Sequence, residues 1–281
     1  MPKEIKIYHS PDADDAFMFY GISSGAVSNP EIVLKHELGD IESLNQRALA
    51  GELDCTAVSV HAVPYLKNQY AIMRSGASMG GQDYGPVVVS KSGTKLSDGK
   101  TRTIAIPGLY TSAALALKLY MAENNIEAEL VNINFDQVFE AVLSSKVDAG
   151  IIIHEGQLTH TELGLASVLN LGTWWWEKHQ LPLPLGVNIV RCSLGEETMQ
   201  TLSRALRASI EYGHKHRDEA LTYALGYGRG ITKAQADKFV GMYVNQYTID
   251  LGESGIRSIE IFLRAAVDRG FVPSGFTLRF V

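Results

Sequence analysis

An otherwise apolar run ends in two polar side chains: Ala149-Gly150-Ile151-Ile152-Ile153-His154-Glu155-Gly156. Imidazole titrates near neutral pH, which suits it to take a proton from carbon under physiological conditions. A strand-end histidine bonded to nearby backbone explains His154 equally well. Neighbouring residues on a strand point opposite ways, so Glu155 reads as an acid at the start of the next helical turn rather than as a partner for the ring. Thr111 and Ser112 join two hydroxyls to the N–H groups of a helix start, a ready site for a carboxylate. Capping alone would also account for them. Ser10, with Pro11 behind it, and Ser59 each follow a strand. No HxH or HExxH spacing is present, and the Asp12, Asp14, Asp15 cluster lacks the other ligands of a calcium loop, so no metal site is expected. Pro107–Ser112 lacks the lysine of a phosphate loop, and the glycines at 226–230 fall in a helical region, where they read as a helix break.

These groups need elements that converge. Ala149–Ile153 has the continuous apolar character of a strand buried on both faces in a parallel sheet. Strands are also read at Ile5–His9, Ile32–Leu38, Cys55–Val60, Tyr70–Arg74, Pro86–Ser90, Thr103–Ile106, Leu130–Ile133 and Val187–Arg191, with helical periods between them. This alternation predicts an α/β fold. Ser10, Ser59, Thr111 and His154 all lie just past strand ends, and ligands bind at the carboxyl edge of parallel strands. The polar stretch Lys91–Lys100 reads as a connection between lobes, and Val187–Arg191 is expected to return the chain to the first. The expectation is a discontinuous larger lobe of residues 1–90 and 188–281, with a smaller lobe of 91–187 facing it across a cleft. Gly76–Gly85 reads as a mobile loop beside the site. Of Trp174, Trp175 and Trp176, at least one is expected to line the crevice or the lobe interface.

The chain has 281 residues, 46% of them hydrophobic, and a net charge of −6. That is enough apolar material for a full core, and the charge is opposite to that of a nucleic-acid binder. Cys55 sits in an apolar run and reads as a buried free thiol; two cysteines do not make a secreted disulfide scaffold. No charged leader precedes an apolar segment and no run approaches the roughly 20 apolar residues of a membrane span. The expected setting is cytoplasmic, without a membrane or nucleic-acid partner. A homodimer is compatible with the sequence.

With these residues assembled, the chain resembles the 1,4-dihydroxy-6-naphthoate synthase (MqnD) family of the futalosine route to menaquinone. The resemblance runs from about residue 5 to 190. It is carried by Ser10-Pro11 with Asp15 and Phe17; Leu44-Asn45; Ser59 with His61-Ala62; Tyr84-Gly85-Pro86; Pro107-Gly108 with Thr111; Asp148 through Gly156; and Leu171-Gly172 with Leu181-Pro182-Leu183-Pro184-Leu185-Gly186. It implies a fold like the type II periplasmic binding proteins, two lobes around a central ligand cleft. It also implies a lyase-type activity: conversion of cyclic dehypoxanthine futalosine to 1,4-dihydroxy-6-naphthoate with loss of the sugar-derived fragment. His154 would be the base, and Asn45, Ser59, Thr111 and Ser112 would contact this small-molecule substrate, with Ser10 beside them. Aromatisation would drive the reaction without a redox cofactor. One departure stands out. Where the family usually has Ser-Pro-Cys-Pro-Asn-Asp, this chain has Ser10-Pro11-Asp12-Ala13-Asp14-Asp15, and inward-facing carboxylates would disfavour an anionic ligand. The alternatives are a non-catalytic carboxylate- or aromatic-binding protein of the same fold, a paralogue with a related substrate, or the sibling chorismate dehydratase.

Overall fold

A computed structural model describes residues 3–91, 96–228 and 230–281. In chain order the first sheet's elements are β1 (Lys3–His9), α1 (Ala13–Ser23), β2 (Ile32–Leu38), α2 (Ile41–Leu49), β3 (Cys55–Ser59), β4 (Tyr70–Ile72) and β5 (Ser78–Gly80). The second sheet's are β6 (Val87–Ser90), β7 (Thr103–Ile106), α3 (Ser112–Glu123), β8 (Glu129–Asn132), α4 (Val138–Leu143), β9 (Ala149–Ile152), β10 (Ala166–Asn170) and α5 (Leu171–His179). The chain then returns through β11 (Leu183–Arg191) to α6 (Glu196–Lys215), α7 (Arg217–Ala224), α8 (Lys233–Tyr243), α9 (Gln246–Ile249) and α10 (Gly252–Asp268).

The strands form two sheets, ordered β2-β1-β3-β11-β4, with β5 also on β11, and β10-β6-β9-β7-β8. β1 is parallel to β2 and β3, and β7 is parallel to β8 and β9. Ser10 and Ser59 therefore leave one sheet by the same edge, and Thr111 and His154 leave the other likewise. β6 and β11 run antiparallel to their neighbours, which follows from their role as the strands that carry the chain between lobes.

The crossings fall earlier than expected. Val87–Ser90 is a central strand of the second sheet, between β9 and β10. Its Val-Val-Val run suits burial on both faces, whereas the turn residues lie just before it, at Asp83-Tyr84-Gly85-Pro86. Leu183–Val187 already belongs to the first sheet, where it pairs with β5 and β3. The connection expected over Lys91–Lys100 lies partly outside the described residues. The outgoing crossing is pinned on α5: Leu171 N–H donates to the Pro86 carbonyl at 3.0 Å, and a Cβ on Gly85 would sit 2.6 Å from Gly172 N. That close approach of two backbones explains both glycines.

Of the three tryptophans, none lines the cleft. Trp175 is buried against Phe262, ring centroids 5.3 Å apart, and Trp174 packs edge-on against Tyr120. Trp175 also donates from Nε1 to Ser258 Oγ of α10 at 3.4 Å, so it ties α5 to the returning C-terminal helices, the lobe-interface place expected of one of the three. Cys55 and Cys192 are both free thiols. The 226–230 stretch does interrupt the helices, between α7 and α8, with Arg229 outside the described residues.

Candidate functional site between the lobes

A cleft of about 110 Å³ opens where the two carboxyl edges face each other. One wall carries Ser10, Asp12, Asp14, Asp15, Ser59 and Asn188; the other carries Thr111, Ser112, Ala113, Ile153 and Gln157; Phe239 and Tyr243 of α8 close one end.

Ser59 ends β3 in the grip of Asn45. Ser59 N–H donates to Asn45 Oδ1 at 2.8 Å, and Asn45 Nδ2 donates to Ser59 Oγ at 3.2 Å. The Ser59 hydroxyl proton is left to donate elsewhere. Asn45 is fully buried and lies outside the cleft lining, so it orients Ser59 rather than lining the wall.

Thr111 caps α3: its Oγ1 accepts from Ala114 N–H at 3.3 Å and donates to the Gly108 carbonyl at 2.9 Å. The Ser112 hydroxyl donates to Leu185 O at 2.6 Å and accepts from His61 N–H at 3.2 Å. Both hydroxyls are therefore committed to the protein. What the α3 start presents to the cleft is the backbone of Ser112 and Ala113 and the positive end of the helix dipole. His61 Nδ1 lies 3.1 Å from Thr111 O, and burial holds this ring neutral, its pKa lowered to about 4.

The acidic departure faces inward. Asp12, Asp14 and Asp15 all line the cleft, the last two each 8% exposed. Ser10 donates to Asp15 Oδ2 through N–H at 2.9 Å and through its hydroxyl at 2.5 Å, and that hydroxyl also sits 2.7 Å from Asp12 Oδ2. One hydroxyl proton cannot serve two ionised carboxylates at once. Burial pushes the Asp15 carboxyl up to about 7 despite the Ser10 bonds that favour its charge. Burial, with Asp15, Asp12 and Glu155 nearby, raises Asp14 well above the usual carboxylate range. With its charge disfavoured by burial, Asp14 can offer an O–H donor, which lessens the repulsion expected toward an anionic ligand.

His154 follows β9 and is 6% exposed. The edges of Phe135 and Phe139 flank it at 5.8 Å each. Its Nδ1 accepts from Gly156 N–H at 3.0 Å. A neutral ring in this orientation carries its proton on Nε2, and its basic lone pair is engaged by the backbone. A Cβ on Gly156 would lie 2.5 Å from Phe139 Cε2 and 2.7 Å from His154 Cε1, so only glycine lets the ring seat this way. Its neighbours Ile153 and Gln157 line the cleft; His154 itself stands behind that wall.

Glu155 does begin a helical turn, and its carboxylate also reaches across the lobes to accept from Ala13 N–H at 3.0 Å, at the start of α1. Glu42 of α2 answers from the first lobe: its oxygens accept from Leu109 and Tyr110 N–H at 3.1 Å each. Two carboxylates thus clasp backbone amides of the opposite lobe, one in each direction.

Sequence reasoning missed Gln157, Asn188 and Tyr243. Tyr243 donates to Gln157 Oε1 at 2.8 Å from α8, 86 residues away. Asn188 had a visible signal, a lone amide within the apolar strand Val187–Val190, and Gln157 lies on the turn that follows His154.

Two lobes around a ligand cleft make this a periplasmic-binding-protein-like fold. The alkanesulfonate-binding protein SsuA of Xanthomonas axonopodis pv. citri shares it with a TM-score of 0.73 at 11% identity, over 97% of this chain and 95% of that one. Residues 5–268 match the family model described as menaquinone biosynthesis, and the chain belongs to that family. It is 35% identical over 266 residues to the 1,4-dihydroxy-6-naphthoate synthase of Thermus thermophilus, 95% of each chain. To the synthase of that name from Streptomyces coelicolor it is 33% identical over 272 residues, 96% of this chain and 95% of that one. The solved structure of protein AF1704 from Archaeoglobus fulgidus is similar with a TM-score of 0.89 at 42% identity, covering 96% of this chain and 98% of that one. Among the described residues no helix is long and apolar enough to cross a membrane.

Proposed function

We propose that this chain is a cytoplasmic 1,4-dihydroxy-6-naphthoate synthase, converting cyclic dehypoxanthine futalosine to the naphthoate with loss of the sugar-derived fragment. The observation that carries the reading is the near-full-length identity to two curated synthases. The cleft is consistent with it. The α3 start, with the Ser112 and Ala113 backbone, offers donors for the substrate carboxylate. The Ser59 hydroxyl and the neutral Asp14 carboxyl offer two more donors for ketone oxygens. Closure of the lobes would keep water from the carbanion-like intermediate.

In this reading His154 takes the proton alpha to a ketone, once its ring turns and exchanges the Gly156 N–H for the substrate. A second reading is favoured by one observation: Asp15 lines the cleft with its carboxyl near 7, where a general base at neutral pH should sit. Its ionised form would then take the proton and His154 would position the substrate wall. Incubating the purified protein with cyclic dehypoxanthine futalosine, and separately with chorismate, tests the activity by product mass. Naphthoate from the first alone is expected; conversion of chorismate, or no naphthoate, would overturn it. The profile of kcat against pH for His154→Gln and Asp15→Asn separates the two bases, because removing the true base abolishes the ionisation on its acidic limb.

A further inference from the structure

Among the described residues, two buried polar atoms on the cleft wall have no hydrogen-bond partner: Asn188 Oδ1 and Gln157 Nε2, on residues 1% and 7% exposed. Native folds rarely leave such atoms unsatisfied, since each unmet group keeps its desolvation cost. Asn188 sits in β11 opposite Ala57, and its Nδ2 donates to the Gly76 carbonyl at 2.9 Å. A carbonyl can only accept, so the orphan at Asn188 is the oxygen. The orientation is built in. Gly76 has φ +81, and a Cβ there would lie 2.6 Å from Asn188 Nδ2, so glycine is needed for the amide to seat. Gly76 is itself held by its N–H on Thr248 O at 2.7 Å. In the other lobe, Gln157 Oε1 accepts the Tyr243 hydroxyl, which turns Nε2 away as the remaining donor.

We propose that Asn188 and Gln157 are specificity-determining residues that read the substrate from opposite lobes. Asn188 Oδ1 accepts a hydrogen bond from a substrate hydroxyl, and Gln157 Nε2 donates to a substrate oxygen. An amide oxygen repels a carboxylate, so the acidic end of the ligand lies away from Asn188, toward α3, and a hydroxylated end lies against β11. Naming that end as the sugar-derived fragment rests on the proposed function. A ligand that satisfies both amides touches both lobes and so favours their closed arrangement.

Calorimetric titration of wild type, Asn188→Leu and Gln157→Met with cyclic dehypoxanthine futalosine tests this, with kcat, KM and thermal midpoint measured on the same preparations. Each variant is expected to bind at least 10-fold more weakly, with KM rising in step and kcat changing by less than threefold. Affinity within twofold of wild type for both variants overturns the proposal, as does a fall in kcat without a change in affinity. Gln157→Met lies in the other lobe, so the test survives poor folding of Asn188→Leu. Wild type that binds the compound without forming naphthoate refutes the catalytic reading alone, and the affinity ratios still decide this one. Wild type that does not bind the compound overturns this one.

Discussion

Glu42→Ala removes the carboxylate that reaches from α2 to the turn before α3. Its two oxygens accept from Leu109 and Tyr110 N–H at 3.1 Å, and the side chain is half-buried. Charge-assisted bonds to a buried group contribute about 1.5–3 kcal/mol each. Solvent at this rim screens them, so about 1 kcal/mol each is the better figure. Their loss weakens the closed arrangement by about 2 kcal/mol. At tenfold per 1.4 kcal/mol, that lowers the binding-competent fraction by up to about 25-fold. The expected result is a rise in the dissociation constant and KM approaching that factor, with kcat at saturation little changed. Glu42→Gln keeps one acceptor and should fall about halfway on a logarithmic scale. Glu52→Ala is the control, because among the described residues Glu52 pairs with Arg47 on the surface of its own lobe. Small-angle scattering of the ligand-free variant should give a larger radius of gyration than wild type. A Glu42→Ala enzyme whose KM and radius both match wild type would refute the idea that this contact helps hold the lobes together.

Three further outcomes follow from the buried groups. His9 and His61 are both kept neutral by burial, near 4 instead of 6.5, so their contribution to stability is complete above pH 6.5 and is lost as pH falls from 6.5 toward 4, at about 1.4 kcal/mol per unit for each. Asp15 runs the other way: raised to about 7 from 3.8, it favours the fold below pH 3.8 and loses that contribution as pH rises to 7. The thermal midpoint of Asp15→Asn should therefore exceed that of wild type at pH 8, with the margin shrinking steadily toward pH 4; a constant margin would contradict the buried neutral carboxyl. Gly156→Ala forces its methyl against Phe139 and His154 and should reduce kcat at least 10-fold with the thermal midpoint falling by a few degrees; unchanged kcat would show that the ring's seating does not matter.

The parts of the site legible in the sequence are those written in consecutive residues. The apolar run of β9 announced a buried strand and its polar end, and parallel pairing then carried Ser10, Ser59 and Thr111 to the same cleft. The lobe boundary is not legible in the sequence because Val87–Ser90 looks alike as the end of one lobe or the centre of the next; only pairing with β9 and β10 distinguishes them. Contacts such as Tyr243 to Gln157 and Glu42 to Leu109 join residues 86 and 67 positions apart, and neither leaves a periodic trace in its own segment. The raised pKa of Asp14 and Asp15 was illegible for a related reason: three acids in one turn look solvated until the fold buries them. Glu155 had its helix-start role in view but not its reach to Ala13, which depends on how the lobes meet.

Turnover of cyclic dehypoxanthine futalosine by His154→Ala, with binding of the same compound measured in parallel, tests the role of His154 most directly. Naphthoate formation is expected to be lost while affinity stays within a few-fold of wild type. Full turnover by the variant would contradict the assignment of proton abstraction to His154 and leave Asp15 as the base to pursue.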